Sequence, residues 1–218
     1  MKCEIIKYDN SEVIIIDDAV CTNKRINIYF DCCMLPYNIS NSSVNDIQGI
    51  TDKRLKSDLD HENPIVDLLL EEGSDSSNII KKYIPSETYG FSRGYVNLGI
   101  HGDVNHMHVD GKYYECKTLL YYANRHWENN WGGHTVFYDN DGNIKTTIEI
   151  KPGRIVIFDG NIPHTVMPMN PRCSPSFRFT VALKFETLKL SIFNEDNNDP
   201  SGPLAASYGP SGPLAASR

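Results

Sequence analysis

The chain has 218 residues, of which 40% are hydrophobic and 22% are charged, and its formal net charge is -7. This length allows one domain with a buried core plus extensions, and the composition is that of an ordinary globular protein. The acidic balance disfavours a nucleic-acid partner, because proteins that bind a phosphate backbone usually present a basic surface. No apolar run approaches the roughly 20 residues of a membrane span, and no basic segment precedes a long apolar one, so we expect neither a membrane helix nor a secretory signal.

The six cysteines show neither a CxxC pair nor a regular spacing. Disulfide frameworks belong mainly to short secreted domains. We therefore expect reduced thiols, mostly buried as small hydrophobic residues, in a cytoplasmic protein.

The N-terminal third predicts a mixture of short elements. Residues 1–18 predict a pair of strands, and residues 20–37 predict a helix that leads into a turn. Residues 38–62 are rich in Asn, Ser and Asp and predict a loop. The segment 64–70 predicts a helix, because a proline in the first helical turn loses no hydrogen bond. The segment 73–77 is expected to end this helix.

From residue 93 onward, short runs rich in Val, Ile, Tyr, Phe and Thr alternate with Gly, Asn, Asp and Pro. Residues 139–142 and 151–153 are strong turn signals. About eight short strands without intervening helices indicate a sandwich or jelly roll, whose interior can bring side chains from different strands to one ligand. The predicted strands are 93–100, 105–109, 117–123, 134–139, 145–150, 154–158, 164–168 and 177–186.

The C-terminal segment contains a perfect repeat, since residues 201–207 recur as residues 211–217. A repeat so poor in bulky apolar residues cannot bury enough surface to fold. We expect residues 190–218 to be an unstructured tail, which could have been added for expression. The expected single domain is then 1–189, with its core at 93–186.

The segment His108-Val109-Asp110 is a candidate metal-binding motif. In a strand, residues i and i+2 face the same side, so the imidazole and the carboxylate would point together into the barrel. His164 follows the turn at 160–163 and begins a later strand, which suits a third ligand. Two histidines and one carboxylate occupy one face of an octahedral ion and leave three positions open, as in non-haem Fe(II) oxygenases.

A second H-x-D triplet, His101-Gly102-Asp103, competes with the first. One such triplet is weak evidence by itself. We favour His108 because it lies in a strand-like run, whereas the earlier triplet has the composition of a turn.

A candidate cation lies on the last predicted strand, where Arg178 and Thr180 share one face. An arginine inside an otherwise apolar strand is costly unless it is paired. A dicarboxylate such as 2-oxoglutarate would supply a partner, because the planar guanidinium binds two carboxylate oxygens at once. Arg172 is a nearby competitor, but its neighbours indicate a loop.

Six sequence segments occur in the same order as in a known enzyme family, and the separations between them are compatible with that family. Through them, residues 93–186 resemble the Fe(II)/2-oxoglutarate-dependent dioxygenases of the prolyl 4-hydroxylase type. The resemblance implies a mainly β fold, with a double-stranded β-helix (jelly-roll) core and N-terminal helices packed on it. The matching segments are His108–Asp110, Thr118–Asn124, Trp131–Tyr138, Lys151–Phe158, His164 and Arg178–Thr180.

The resemblance also implies roles for six side chains. Three would be the catalytic iron ligands, and three would contact 2-oxoglutarate, the co-substrate used together with O₂; ascorbate is a further reductant that the family allows. Core packing is the alternative role for Tyr122. The implied iron ligands are His108, Asp110 and His164, and the implied co-substrate contacts are Arg178, Tyr122 and Thr180.

The implied activity is hydroxylation of a C–H bond, because Asp110 keeps the carboxylate that related halogenases lack. A peptidyl, prolyl-type residue is the first expectation for the substrate. A free amino acid or small metabolite is the second, and a nucleobase is the third. A non-catalytic, cupin-like metal-binding barrel is a different alternative.

The sequence departs from the family at two places. An insertion at 168–175 separates His164 from Arg178, and Lys184-Phe185 stands where many hydroxylases carry a tryptophan. These departures put the substrate, more than the iron chemistry, in doubt.

Overall fold

The computed structural model describes residues 1–8, 11–42, 52–103, 105–111, 116–172 and 177–188. Strands make up 44% of this length and helices 20%, and the α-helices lie in the N-terminal half. A 3₁₀ turn covers Asn129–Trp131. The elements are β1 (Lys2–Tyr8), β2 (Ser11–Asp17), α1 (Thr22–Met34), β3 (Asn38–Ser42), β4 (Asp52–Leu59), α2 (Pro64–Leu70), α3 (Asp75–Tyr83), β5 (Tyr89–Ile100), β6 (Cys116–Tyr122), β7 (Thr135–Tyr138), β8 (Ile144–Ile148), β9 (Ile155–Asp159), β10 (His164–Val166) and β11 (Phe177–Thr187).

The strands form two facing antiparallel sheets. The larger sheet has eight strands in the order β1-β2-β9-β6-β11-β5-β4-β3, and the smaller has three in the order β10-β7-β8. An isolated bridge pairs His108 with His164 at the edge of the smaller sheet. Together the two sheets form the double-stranded β-helix, and this fold class is confirmed.

Successive side chains of the central strands point to opposite faces of the large sheet, and this divides the core into two layers. On β6, Leu119 and Tyr121 pack toward the helices, whereas Leu120 and Tyr122 face the space between the sheets. On β11, the apolar side chains that face the helices are Phe179, Val181 and Leu183. The intervening positions of β11, which include Arg178, therefore face the barrel interior.

The three helices cover the outer face of the large sheet, as expected. Their buried residues include Ile28 of α1, Leu69 of α2 and Ile80 of α3, all in one cluster with the sheet. The Asn63 side chain accepts a hydrogen bond from the backbone N–H of Ile65 at 3.0 Å, and Pro64 occupies the first turn. The predicted helix at 64–70 is confirmed, because both its cap and its apolar face are visible in the sequence.

Seven of the eight strands predicted after residue 93 are confirmed within a few residues of their expected ends. The exception is 105–109, where only His108 makes a bridge. The turns at 139–142 and 151–153 are also present, and Gly142 and Gly153 adopt the positive φ values that these turns require.

Two expectations for the N-terminal half are wrong. Residues 38–42 and 52–59 are strands β3 and β4 instead of a loop, whereas residues 43–51 lie outside the described ranges. These strands lie at one side of the large sheet, where polar side chains can stay in water, so composition alone could not reveal them. Residues 75–77 begin helix α3, because the Ser74 hydroxyl accepts a hydrogen bond from the N–H of Ser77 at 3.1 Å.

The five cysteines within the described ranges are not in disulfides. Only Cys32 is buried, so the expectation that most thiols lie in the core is wrong; Cys173 lies outside these ranges. No helix in the described part of the chain is both long and apolar enough to cross a bilayer. The expected tail, 190–218, lies outside the described residues.

Candidate active site

His108 and His164 are brought together by backbone pairing between distant segments. The N–H of His108 donates to the carbonyl of His164 at 3.0 Å, and the reverse bond measures 2.8 Å. Their ring centroids lie 4.4 Å apart. Asp110 is fixed beside them, because its own N–H donates to the carbonyl of Gly160 at 2.7 Å. The three candidate ligands therefore lie on a rigid backbone frame.

Both imidazole rings are oriented by backbone carbonyls. Nδ1 of His108 lies 3.0 Å from the carbonyl oxygen of His106, and Nδ1 of His164 lies 2.9 Å from that of Ile162. A carbonyl can only accept, so each Nδ1 carries the proton and each Nε2 keeps a free lone pair. The Nε2 atoms face Asp110, at 3.8 Å from Oδ1 for His108 and 3.5 Å from Oδ2 for His164.

Burial keeps both imidazoles neutral. Loss of solvent around the ring lowers the pKa of His108 and lowers that of His164 to about 4. The neutral ring is the form that binds a metal ion. Both rings are therefore in the ligand form at neutral pH.

Asp110 is a buried carboxylate with two polar partners. The Thr118 hydroxyl donates to its Oδ2 at 2.7 Å, and the Lys184 ammonium contacts the same oxygen. Burial by itself raises the pKa of Asp110, but the charge and the hydrogen bond of the Lys184 ammonium lower the pKa well below its usual range. Asp110 is thus ionised across the physiological pH range.

One donor atom from each of His108, Asp110 and His164 lies within 4.8 Å of the others, which makes this group a possible metal site in the described part of the chain. Two neutral imidazole nitrogens and one carboxylate form the donor set typical of open Fe(II) sites. The residues present therefore fit the ion that the sequence implies.

The competing triplet is a turn, as expected, and lies apart from this group. Gly102 has a φ of 90°, and the Asp103 carboxylate accepts from the N–H of Ile100 at 2.8 Å. His101 Nδ1 lies 3.0 Å from the carbonyl oxygen of Met169. These contacts explain the triplet as local structure.

Arg178 is a buried cation that has no carboxylate partner among the described residues. Its side chain is 4% exposed, its Nε has no hydrogen-bond partner, and its guanidinium lies 5.5 Å from the ring centre of Tyr122. Thr180 Oγ1 is likewise buried without a partner, whereas the Tyr122 hydroxyl pairs with Thr135 Oγ1 at 2.7 Å. Buried polar atoms without partners are costly, so this region is suited to an anionic ligand. Arg172, the sequence competitor, is exposed.

A small cavity of about 40 Å³ opens beside Arg178. Arg54 from β4 also lines it, together with Asn97, Asn105 and Met167. Arg54 is not evident as a site residue in the sequence, because the composition of its segment predicts a loop.

Two residues at the site, Lys184 and Thr118, were also missed as contacts of Asp110. The period of two along β11 places Lys184 on the same face as Arg178, which is a signal that the sequence already contains. Lys184 was noted only as a replacement for tryptophan. Its contact with Asp110 needs the fold.

Comparisons with known proteins agree with this geometry. Residues 89–184 match the family model described as the 2OG-Fe(II) oxygenase superfamily. No curated protein sequence matches the chain significantly. The matched range contains all six side chains for which the sequence implies roles.

Solved structures with the same fold include enzymes with different ligands. A prolyl hydroxylase from Trichoplax adhaerens, in complex with a hypoxia inducible factor peptide fragment, has a TM-score of 0.61 at 16% identity, covering 83% of this chain and 86% of its own. A prolyl-4-hydroxylase from Pseudomonas putida has a TM-score of 0.60 at 15% identity, covering 80% and 91%.

A third similar structure is HygX from Streptomyces hygroscopicus, with nickel, 2-oxoglutarate and hygromycin B bound. Its TM-score is 0.57 at 9% identity, covering 81% of this chain and 83% of its own. The family match, the shared fold and the His-Asp-His group point to the same chemistry. Residues 89–184 therefore match the 2OG-Fe(II) oxygenase superfamily, and the chain has a prolyl 4-hydroxylase-like fold.

Proposed function

We propose that this protein hydroxylates a C–H bond of a peptidyl, prolyl-type residue, with Fe(II) bound by His108, Asp110 and His164. The observation that carries the proposal is that this donor group shares one barrel interior with the buried guanidinium of Arg178, whose Nε has no hydrogen-bond partner. Bound there, Fe(II) and 2-oxoglutarate supply the dioxygen chemistry that oxidises the substrate and releases succinate and CO₂.

The chain's own residues bind and orient the co-substrate. Arg178 offers two parallel N–H groups to the distal carboxylate, and Thr180 Oγ1 can donate to the same group. Tyr122 lies under the guanidinium and its hydroxyl is fixed by Thr135, so it limits where the carboxylate can lie. A non-catalytic metal-binding barrel has no need of this second, anion-binding subsite, which argues against the cupin-like alternative.

Exposed apolar side chains near the site favour a peptide over a compact metabolite. Ile100 is 40% exposed and Met167 is 43% exposed, and both line the cavity beside Arg178. Met107, next to His108 in the chain, is 51% exposed. Methionine is enriched at protein interfaces, and such a rim could contact an extended chain on both sides of the reacting residue.

The free amino acid or small metabolite remains the second candidate, since HygX has hygromycin B bound in the same fold. The discriminating experiment is a succinate-release screen with Fe(II), ascorbate and 2-oxoglutarate over proline-containing peptides and free amino acids. We expect stimulation by a peptide above the uncoupled rate and a gain of 16 mass units, one oxygen atom, on that peptide. Stimulation only by small molecules would replace the peptide assignment.

The proposed iron ligands can be tested separately, with the competing triplet as the control. Asp110→Ala should reduce succinate release to background, whereas His101→Ala, which alters the competing triplet, should retain it. Full retention of succinate release by Asp110→Ala would refute the proposed iron site.

A further inference from the structure

Lys184 is a buried ammonium whose polar partner is a proposed metal ligand. The residue is 5% exposed and lies on the interior face of β11. Its Nζ contacts Oδ2 of Asp110 and donates to Thr118 Oγ1 at 3.1 Å. The Nζ also lies 5.7 Å from the ring centre of Tyr95. Among the described residues, no other lysine or arginine contacts Asp110.

We propose that Lys184 is an internal counter-ion that lowers the affinity of the site for divalent metals while keeping the metal-free site in its binding geometry. This inference rests on the proposed metal site at His108, Asp110 and His164. Lys184 is a positioning residue in this account, since it acts through Asp110 and not on substrate.

The metal-free state needs a positive charge at this place. A buried carboxylate that loses its cationic partner is strongly destabilising, because its desolvation is no longer compensated. Each imidazole of the triad directs its Nδ1 to a backbone carbonyl, whereas the Lys184 ammonium contacts the Asp110 carboxylate directly. Lys184 therefore holds the Asp110 carboxylate in place before any metal arrives.

The metal-bound state has the opposite requirement. A divalent ion at the triad would share one carboxylate with the Lys184 ammonium, and like charges a few ångströms apart repel strongly in a buried site. Thr118 bonds to the same Oδ2 without a charge, so it can preserve the orientation of Asp110 when the ammonium is absent. Removing the positive charge should therefore tighten metal binding.

If Lys184 only oriented Asp110, its replacement would weaken metal binding instead of tightening it. Loss of an outer-shell partner that only orients a ligand typically weakens metal binding by about 10–100-fold. The direction of the change in affinity thus separates the two roles.

The test is a calorimetric titration of the metal-free protein with Mn(II), which is not oxidised under these conditions. We expect Lys184→Met to bind Mn(II) about tenfold more tightly than the unaltered chain. Lys184→Gln, which retains a polar group for Thr118, should show the same direction and serves if the methionine variant does not fold. Equal or weaker binding by the folded variants would overturn the proposal.

A matched control is available at the same aromatic ring. Lys56 Nζ lies 5.0 Å from the ring centre of Tyr95 and pairs with Asp58 on the surface. Lys56→Met removes a nearby positive charge without touching Asp110 and should leave the Mn(II) affinity unchanged. A tenfold gain in this control as well would show that the effect is one of general charge, which also overturns the proposal.

Thermal stability gives a second readout. The melting temperature of metal-free Lys184→Met should fall by on the order of 10 °C, and saturating Mn(II) should restore more of it than in the unaltered chain. An unchanged melting temperature of the metal-free variant would contradict the counter-ion role.

The experiment also separates this inference from the proposed function. If the unaltered chain binds no Mn(II), or if His164→Ala binds it equally well, the proposed iron site fails and the inference fails with it. If the unaltered chain binds Mn(II) through His164 but the Lys184 variants bind no more tightly, only the inference fails.

Discussion

At the scale of single residues, the two histidine rings follow one rule: each donates its Nδ1 proton to the carbonyl two residues earlier, on His106 and Ile162. This local bond selects the tautomer with a free Nε2. The rings are therefore in their metal-binding form without help from a distant acid. Because the rings are buried in their neutral form, the folded protein should be less stable at low pH.

The pKa of His164 predicts an acid-sensitive metal-free protein. Burial lowers this pKa from 6.5 to about 4. Between these pH values the His164 ring is protonated in the unfolded chain and neutral in the folded chain. The stabilising contribution of the neutral ring is complete above pH 6.5 and is lost as the pH falls toward 4; at pH 5 the loss is about 2 kcal/mol. Urea unfolding at pH 7.5 and 5.0 should show this difference, and His164→Gln should reduce it. An equal pH dependence in both proteins would refute the prediction.

The charge on Arg178 should determine co-substrate affinity. Arg178→Gln removes the charge-assisted pair with the distal carboxylate, so we expect the KM for 2-oxoglutarate to rise about 10–100-fold. Steady-state succinate release at varied 2-oxoglutarate measures this change. The exposed Arg172, changed to Gln, is the matched control and should keep the original KM. An unchanged KM in Arg178→Gln would remove this residue from the proposed site.

At the scale of elements, ion pairs of Asp17 link the end of strand β2 to the turn before β9. The Asp17 carboxylate accepts from Nε and Nη2 of Arg154 at 2.7 and 3.1 Å and from Lys151 Nζ at 2.8 Å. Asp17 is buried, and β2 pairs with β9 through Val13 to Ile16. The N-terminal strands therefore join the barrel by both backbone and charged contacts.

Breaking this ion pair should weaken the whole domain. Arg154→Met leaves a buried carboxylate with only Lys151 as its partner, so we expect the free energy of unfolding to fall by about 3 kcal/mol. Urea denaturation measures the change, and a cycle with Asp17→Asn isolates the pairwise contribution. A coupling near zero would show that backbone pairing alone joins β2 to the sheet.

At the scale of the whole molecule, the last described strand, β11, contributes both the proposed co-substrate cation and the buried Lys184. It lies between β5 and β6 in the large sheet, with its apolar face toward the helices. All strands described for the two sheets lie between Lys2 and Thr187.

Removal of residues 190–218 should leave the domain unchanged. These residues are poor in bulky apolar side chains and so cannot add much buried surface. We expect the shortened chain to keep its melting temperature within about 2 °C, because a larger shift needs a change of roughly 1 kcal/mol in a domain of this size. Succinate release should also persist. A large loss of either would show that the tail belongs to the folded unit.

The sequence by itself determined the features that depend on local periodicity and composition. Short runs rich in Val, Ile, Tyr, Phe and Thr between turn residues predict the strands after residue 93, and the period of two places His108 with Asp110 and Arg178 with Thr180. The two predicted turns of this region follow from Gly142 and Gly153, which stand at positions with positive φ. These signals act within a few residues, so they can be read without the fold.

The tertiary structure decided what depends on partners far apart in the chain. The polar strands β3 and β4 exist because a neighbouring strand supplies their hydrogen bonds, which composition cannot indicate. The pairing of His108 with His164 places the third candidate ligand. Likewise, only packing of β11 against the Asp110 segment brings the Lys184 ammonium to that carboxylate, because a charged contact between distant segments leaves no local trace in sequence.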